Sequence, residues 1–139
     1  MPPLTAAELL IHLRDTLADL DGVASCKIGL EANITPDQYP LIRLVPARLR
    51  PAVGLGYRQT LDLTIYFGDA LLEAADGLEA VYERLLGMEE AIRAAVLTVA
   101  PATATTAGQR LRVRAVETLF DEDRLPHYKL MASRFEVEG

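Results

Sequence analysis

The sequence predicts an α+β fold: a single antiparallel or mixed sheet with two helices packed on one face, in the order α-β-β-β-α-β-β. Three observations predict it. Leucines at helical spacing follow a capping box near the N-terminus. A central segment, Arg58 to Phe67, alternates polar and apolar residues from Thr60 onward. A second long stretch of helical spacing separates that segment from two further alternating ones.

The first helix opens at Thr5, with Glu8 three residues on, the spacing of a capping box. Leu9, Leu13, Leu17 and Leu20 fall on one face, and Asp21-Gly22 ends the helix. Ser25 to Glu31 has period two, with Cys26, Ile28 and Leu30 on one side and Lys27 and Glu31 on the other, and reads as a half-buried strand. Asn33 to Pro40 is a loop. Leu41 to Arg48 is the second strand; Pro46 cannot donate to a ladder, so it belongs at an edge or a bulge. Arg50 to Tyr57 is a Pro/Gly loop. In Arg58 to Phe67, Leu61, Leu63, Ile65 and Phe67 face one way and Thr60, Asp62, Thr64 and Tyr66 the other, as in a sheet with one covered face.

Asp76 and Glu79 resemble a second capping box. Leu78, Tyr82, Leu85, Ile92 and Val96 continue at helical spacing, and the helix is predicted to end before Pro101. Pro101 to Gly108 is predicted to be a loop. Gln109 to Phe120 and Tyr128 to Val137 alternate as strands, both with slips of phase that predict bulges, around a turn at Asp121 to Pro126.

The 139 residues fit one domain, 1–139, with no internal repeat. Half the chain is hydrophobic, enough to build a core. The formal net charge of -6 opposes a general affinity for nucleic acid. The single cysteine, Cys26, excludes an internal disulfide and a cysteine zinc cluster, and suits a reducing compartment. No stretch reaches the roughly 18 apolar residues of a membrane helix, and the N-terminus lacks the pattern of a signal peptide.

No motif announces a reaction. His12 and His127 lack the carboxylates of a metal site and a nucleophile to activate, so they read as surface or boundary histidines. Ser25 and Ser133, the only serines, lie in no nucleophile elbow. Asp121, Glu122 and Asp123 lack calcium-loop spacing and read as a solvated turn. Gly54-Leu55-Gly56 leads into a strand, not into the helix terminus that phosphate binding needs. Cys26 lies on an apolar phase and reads as a small hydrophobe. Tyr57, Tyr66 and Tyr82 form no stacking platform with basic residues. The reading is therefore of a protein that is not an enzyme, with no catalytic residues, no cofactor and no metal.

The charge pattern is more informative. Arg43, Arg48, Arg50 and Arg58 fall in residues 40–61, and Arg110, Arg112 and Arg114 in residues 109–116, with no acid in either segment. Residues 69–93 hold seven acids against Arg84 and Arg93. A basic sheet side and an acidic helix side follow. Three readings compete: an ordinary solvated surface, a head-to-tail interface between copies, and a nucleic-acid surface.

The order of elements also carries a resemblance. A short helix precedes a strand at Ala24-Ser25-Cys26-Lys27-Ile28 and a proline-flanked strand at Tyr39-Pro40-Leu41-Ile42-Arg43-Leu44. The long strand Arg58 to Phe67, a helix over Leu78 to Leu97 and a closing strand pair follow. Over nearly its whole length the chain resembles the tail-terminator and minor-tail proteins of long-tailed bacteriophages. The resemblance implies a structural virion protein at the head-proximal end of the tail, assembled in the host bacterial cytoplasm. It implies a homo-oligomeric ring, typically of six copies, that caps the tail tube, stops its growth and offers the surface to which the head joins. The implied partners are other copies, the tube protein and a head-completion or neck protein; DNA only passes through the lumen, and no membrane is involved. The family has no residue motif to carry over. The charge pattern supplies the expected interface: Arg43, Arg48, Arg50 and Arg58 around the loop, then Arg110, Arg112 and Arg114 at a subunit seam. Alternatives are a head-completion or stopper protein, or a small α+β ligand-binding or regulatory domain.

Overall fold

A computed structural model describes residues 5–51, 59–70, 77–106, 111–120 and 128–139. Two helices, α1 (Ala6–Ala18) and α2 (Gly77–Thr106), cover one face of a five-stranded sheet of β1 (Ser25–Ile28), β2 (Leu41–Pro51), β3 (Gln59–Ala70), β4 (Arg112–Phe120) and β5 (Tyr128–Glu138). The strand order is β1-β2-β3-β5-β4. β1 runs parallel to β2, and all other pairs are antiparallel. The chain is thus α+β with the predicted order of elements.

Thr5 caps α1 as expected: its hydroxyl accepts from the Glu8 amide at 3.1 Å. Leu9, Leu10, Leu13 and Leu17 bury against the sheet. The long alternating strand supplies the middle of the core through Leu61, Leu63, Ile65 and Phe67, and β5 adds Met131, Phe135 and Val137. Each such side chain contributes about 1.5–3 kcal/mol by leaving water. Gly68 is required where β3 meets β5, because a Cβ there would collide with the backbone carbonyl of Lys129.

Several expectations are corrected. β1 is shorter than predicted: Gly29 adopts φ +93°, the chain leaves the sheet, and Ile28 and Leu30 are exposed while Cys26 alone packs on the core. Its parallel pairing is made possible by the connection over residues 29–40, which carries the chain back to β2 with one 3-10 turn at Pro36–Gln38. Pro46 sits both at a bulge and on an edge, because the register shifts between Pro46 and Arg48 and β1 covers β2 only over residues 41–44. β4 has its bulge between Ala115 and Glu117, but β5 has none; Lys129, Met131, Ser133, Phe135 and Val137 are buried in unbroken alternation.

The largest correction concerns α2, which passes through Pro101 and ends at Thr106. A proline inside a helix removes one hydrogen bond and crowds the preceding turn. Here Ile92, Val96, Ala100 and Ala104, four residues apart, are all fully buried, so the apolar stripe continues beyond the proline and holds the last turns on the core. The predicted helix start at Asp76 and the turn at Asp121 to Pro126 lie outside the described residues.

Candidate assembly surface

The face of the sheet away from the helices carries the polar phase of β3 and β5. The register sets Asp62 opposite Glu136 and Thr64 opposite Arg134. Like charges directly opposite each other oppose pairing. The outer strands offset this with arginines. From β2, Arg50 reaches Asp62 at 3.1 Å and Glu136 at 3.6 Å, and Arg48 lies 3.9 Å from Asp62. From β4, Arg114 reaches Glu136 at 3.2 Å. Arg134 pairs with Glu117 across β5 and β4. The result is an ionic ladder across four strands, lining a shallow groove of about 360 Å³.

This changes the charge reading. The helix side is acidic as expected, with Glu8, Asp15, Asp19, Glu79, Glu83 and Glu90 exposed. The sheet side is not a bare basic patch, because Arg48, Arg50 and Arg114 are matched by acids from β3 and β5. Asp62 and Glu136 stand on other strands than the arginines, and only strand register brings them together. The arginines remain half or more exposed, so they stay available to a partner that competes for them.

Arg43 departs from the expected surface altogether. It is fully buried. The connection over residues 29–40 folds onto the open face and encloses it. Its Nε donates to Glu31 Oε1 at 2.5 Å and its Nη2 to Gln38 Oε1 at 2.7 Å. Its Nη1 donates to Ser25 Oγ at 3.0 Å and to the Ile42 carbonyl at 2.9 Å. A buried guanidinium with its donors engaged is a structural clasp and offers nothing to a partner. The clasp also draws Glu31 down from a pKa of 4.5 to about 2, chiefly through the Arg43 hydrogen bonds. Arg112 lies on the exposed edge strand, opposite Glu138 in register. Arg58 and Arg110 lie outside the described residues, as do His127, Asp121, Glu122, Asp123 and the Gly54-Leu55-Gly56 loop.

No family model matches the chain, and no curated protein matches it.

Ser25, Ser133 and Cys26 are engaged within the fold. Ser25 donates to the Gln38 carbonyl at 2.8 Å while accepting from Arg43. Ser133 is buried and shares a hydrogen bond of 2.8 Å with Thr118. Burial pushes the Cys26 thiol up from 9.0 to about 11, which keeps it protonated at neutral pH and unreactive. His12 is exposed on α1.

Proposed function

We propose that this chain is a structural assembly protein, a bacteriophage tail terminator that forms a ring on the end of the tail tube. One observation carries the ring. Of the nine large hydrophobic residues exposed among the described ones, five lie on strands at the two lateral edges of the sheet: Ile28 and Leu49 on β1 and β2, and Val116, Leu119 and Phe120 on β4. The two edges are different surfaces at opposite ends of one sheet. Contact between them joins copies head to tail, and such heterologous contacts close into rings when the rotation allows. The order of elements, the same on which the resemblance rests, supports assigning that ring to a tail terminator.

In this reading the apolar edges supply the seam and the exposed Arg48, Arg50, Arg112 and Arg114 supply polar contacts around it or toward the tube. The partners are further copies, the tube protein and the neck protein. A conduit should not grip its cargo, and pairing of Arg114 with Glu136 weakens any hold on passing phosphates.

The test is native mass by light scattering across a concentration series, alone and with assembled tail tubes. A species of about 91 kDa, six copies of a 15.2 kDa chain, supports the proposal. A strict monomer under both conditions overturns it. Replacing Leu119 and Phe120 by Ser should abolish the large species while leaving the circular dichroism of the monomer unchanged.

A further inference from the structure

Between the turn that follows α1, Leu20 to Val23, and the middle of α2 lies a cleft of about 420 Å³. Leu20, Val23, Pro40 and Met88, all half-buried, offer its accessible apolar surface above the fully buried Ile42 and Ile92. Voids left by imperfect packing rarely exceed a water molecule. This opening falls in the roughly 300–1,000 Å³ range of small-molecule sites, which are mostly apolar with a few placed polar groups.

The placed group here is an ion pair. Asp69, only 8% exposed, accepts from Arg84 Nε at 2.9 Å. That bond fixes the guanidinium at the mouth of the cleft by one edge. No described residue bonds its two terminal nitrogens, and the side chain is half exposed. Gly87 lies one helical turn further along α2, also at the mouth, and a Cβ there would meet nothing within 4 Å. Glycine inside a helix costs about 1 kcal/mol relative to alanine. The chain's own described packing does not demand it, but its absent side chain keeps the entrance wide.

We propose that this cleft binds a small amphiphilic anion: an alkyl or aryl body ending in a carboxylate or sulfonate. The apolar body lies against Leu20, Val23, Pro40 and Met88, and the head takes the edge of the Arg84 fork that no described residue bonds, whose planar donors suit such a group. A cationic ligand fits worse. It would have to displace Arg84 from a largely buried carboxylate, whereas an anion uses nitrogens that no described residue bonds. The inference rests on the cleft alone and holds whether or not the chain forms rings.

The experiment is calorimetric titration of the full chain with octanoate, and separately with octylammonium. Octanoate should saturate at one molecule per chain and octylammonium should bind at least tenfold more weakly. Arg84→Gln should weaken octanoate roughly tenfold or more through loss of the charge-assisted hydrogen bonds. Gly87→Leu should abolish binding by closing the mouth; it adds bulk where there is room and replaces a helical glycine, so the fold is not put at risk, and an unchanged or raised melting temperature verifies this. Absence of saturable octanoate binding overturns the proposal. Octylammonium binding as tightly as octanoate, or octanoate binding undisturbed by Gly87→Leu, overturns it equally.

Discussion

Asp62 and Glu136 stand directly opposite each other on neighbouring strands, and Arg50 from a third strand reaches both, at 3.1 and 3.6 Å. Two facing carboxylates in the middle of a sheet are unfavourable by themselves. The arginine turns that pairing into a cross-strand tie. Arg50 is half exposed, so each of its ion pairs is screened and contributes at most about 1 kcal/mol. Removing it also leaves the carboxylates facing each other with less compensation. Arg50→Ala is therefore expected to lower stability by about 1 kcal/mol, seen as a lower urea midpoint with an unchanged slope. Adding Asp62→Asn should recover part of that loss. A double-mutant cycle with no coupling would contradict the tie.

Arg43 presents the opposite case, an arginine with no exposed surface at all. Removing one partner of a buried pair typically costs about 3–5 kcal/mol, because the other charge is left without compensation. Here the other charge, Glu31, keeps about a third of its side-chain surface in water, which reduces the loss. Arg43→Met is expected to destabilise the protein by about 2–3 kcal/mol in urea unfolding. Arg43→Lys should not restore the clasp, because one ammonium cannot reach Glu31, Gln38, Ser25 and the Ile42 carbonyl together. Hydrogen exchange should quicken across residues 29–40 in both variants while α1 stays protected.

The same clasp predicts a pH dependence. Arg43 holds the Glu31 carboxyl at about 2 in the folded protein, against 4.5 ordinarily. A carboxylate with a depressed folded-state pKa contributes its full stability above the unfolded value and loses it as the pH falls through the folded one. Glu31 should therefore add a constant increment from neutral pH down to about 4.5, and that increment should fade toward pH 2. Comparing wild type with Glu31→Gln by urea unfolding at pH 6 and pH 3 checks this: the gap between them should narrow at the lower pH. A gap that widens would give the wrong sign and refute the assignment.

These two arginines also mark how far the sequence could be read. Hydrophobic period locates both helices and all five strands, most plainly at Leu61 to Phe67, where the helices cover one face and the alternation is regular; Leu41 to Leu44 of β2 are all buried and do not alternate. Burial of Arg43 was not legible. Its partners Glu31, Gln38 and Ser25 come from β1 and the loop after it, and the arginine lies in the phase that faces away from the helices. Nothing in period two tells that the loop folds back over that face. The ladder was hidden for a related reason: charge runs along the chain identified Arg48, Arg50 and Arg114, but Asp62 and Glu136 belong to other strands, and only register places them alongside. The cleft beside Arg84 is equally out of reach, since it depends on how the turn after α1 packs beside α2.

Pro101 shows local preference overridden by packing. The rule that a helix stops before proline is a steric one, yet α2 continues through Pro101, which has no amide to donate to the preceding turn. What holds the turns beyond it is Ala104, fully buried one turn after the equally buried Ala100. The proline therefore subtracts from a helix that forms in spite of it. Pro101→Ala restores the missing amide and relieves the crowding without altering the buried stripe. It should raise stability by about 1–3 kcal/mol, somewhat below the full interior cost because the turns have already adjusted around the ring. A melting temperature several degrees higher, with far-ultraviolet ellipticity unchanged or slightly more helical, is the expected outcome. A lower melting temperature would mean that the proline stabilises the C-terminal turns of α2 by restricting the unfolded chain more than it costs the helix.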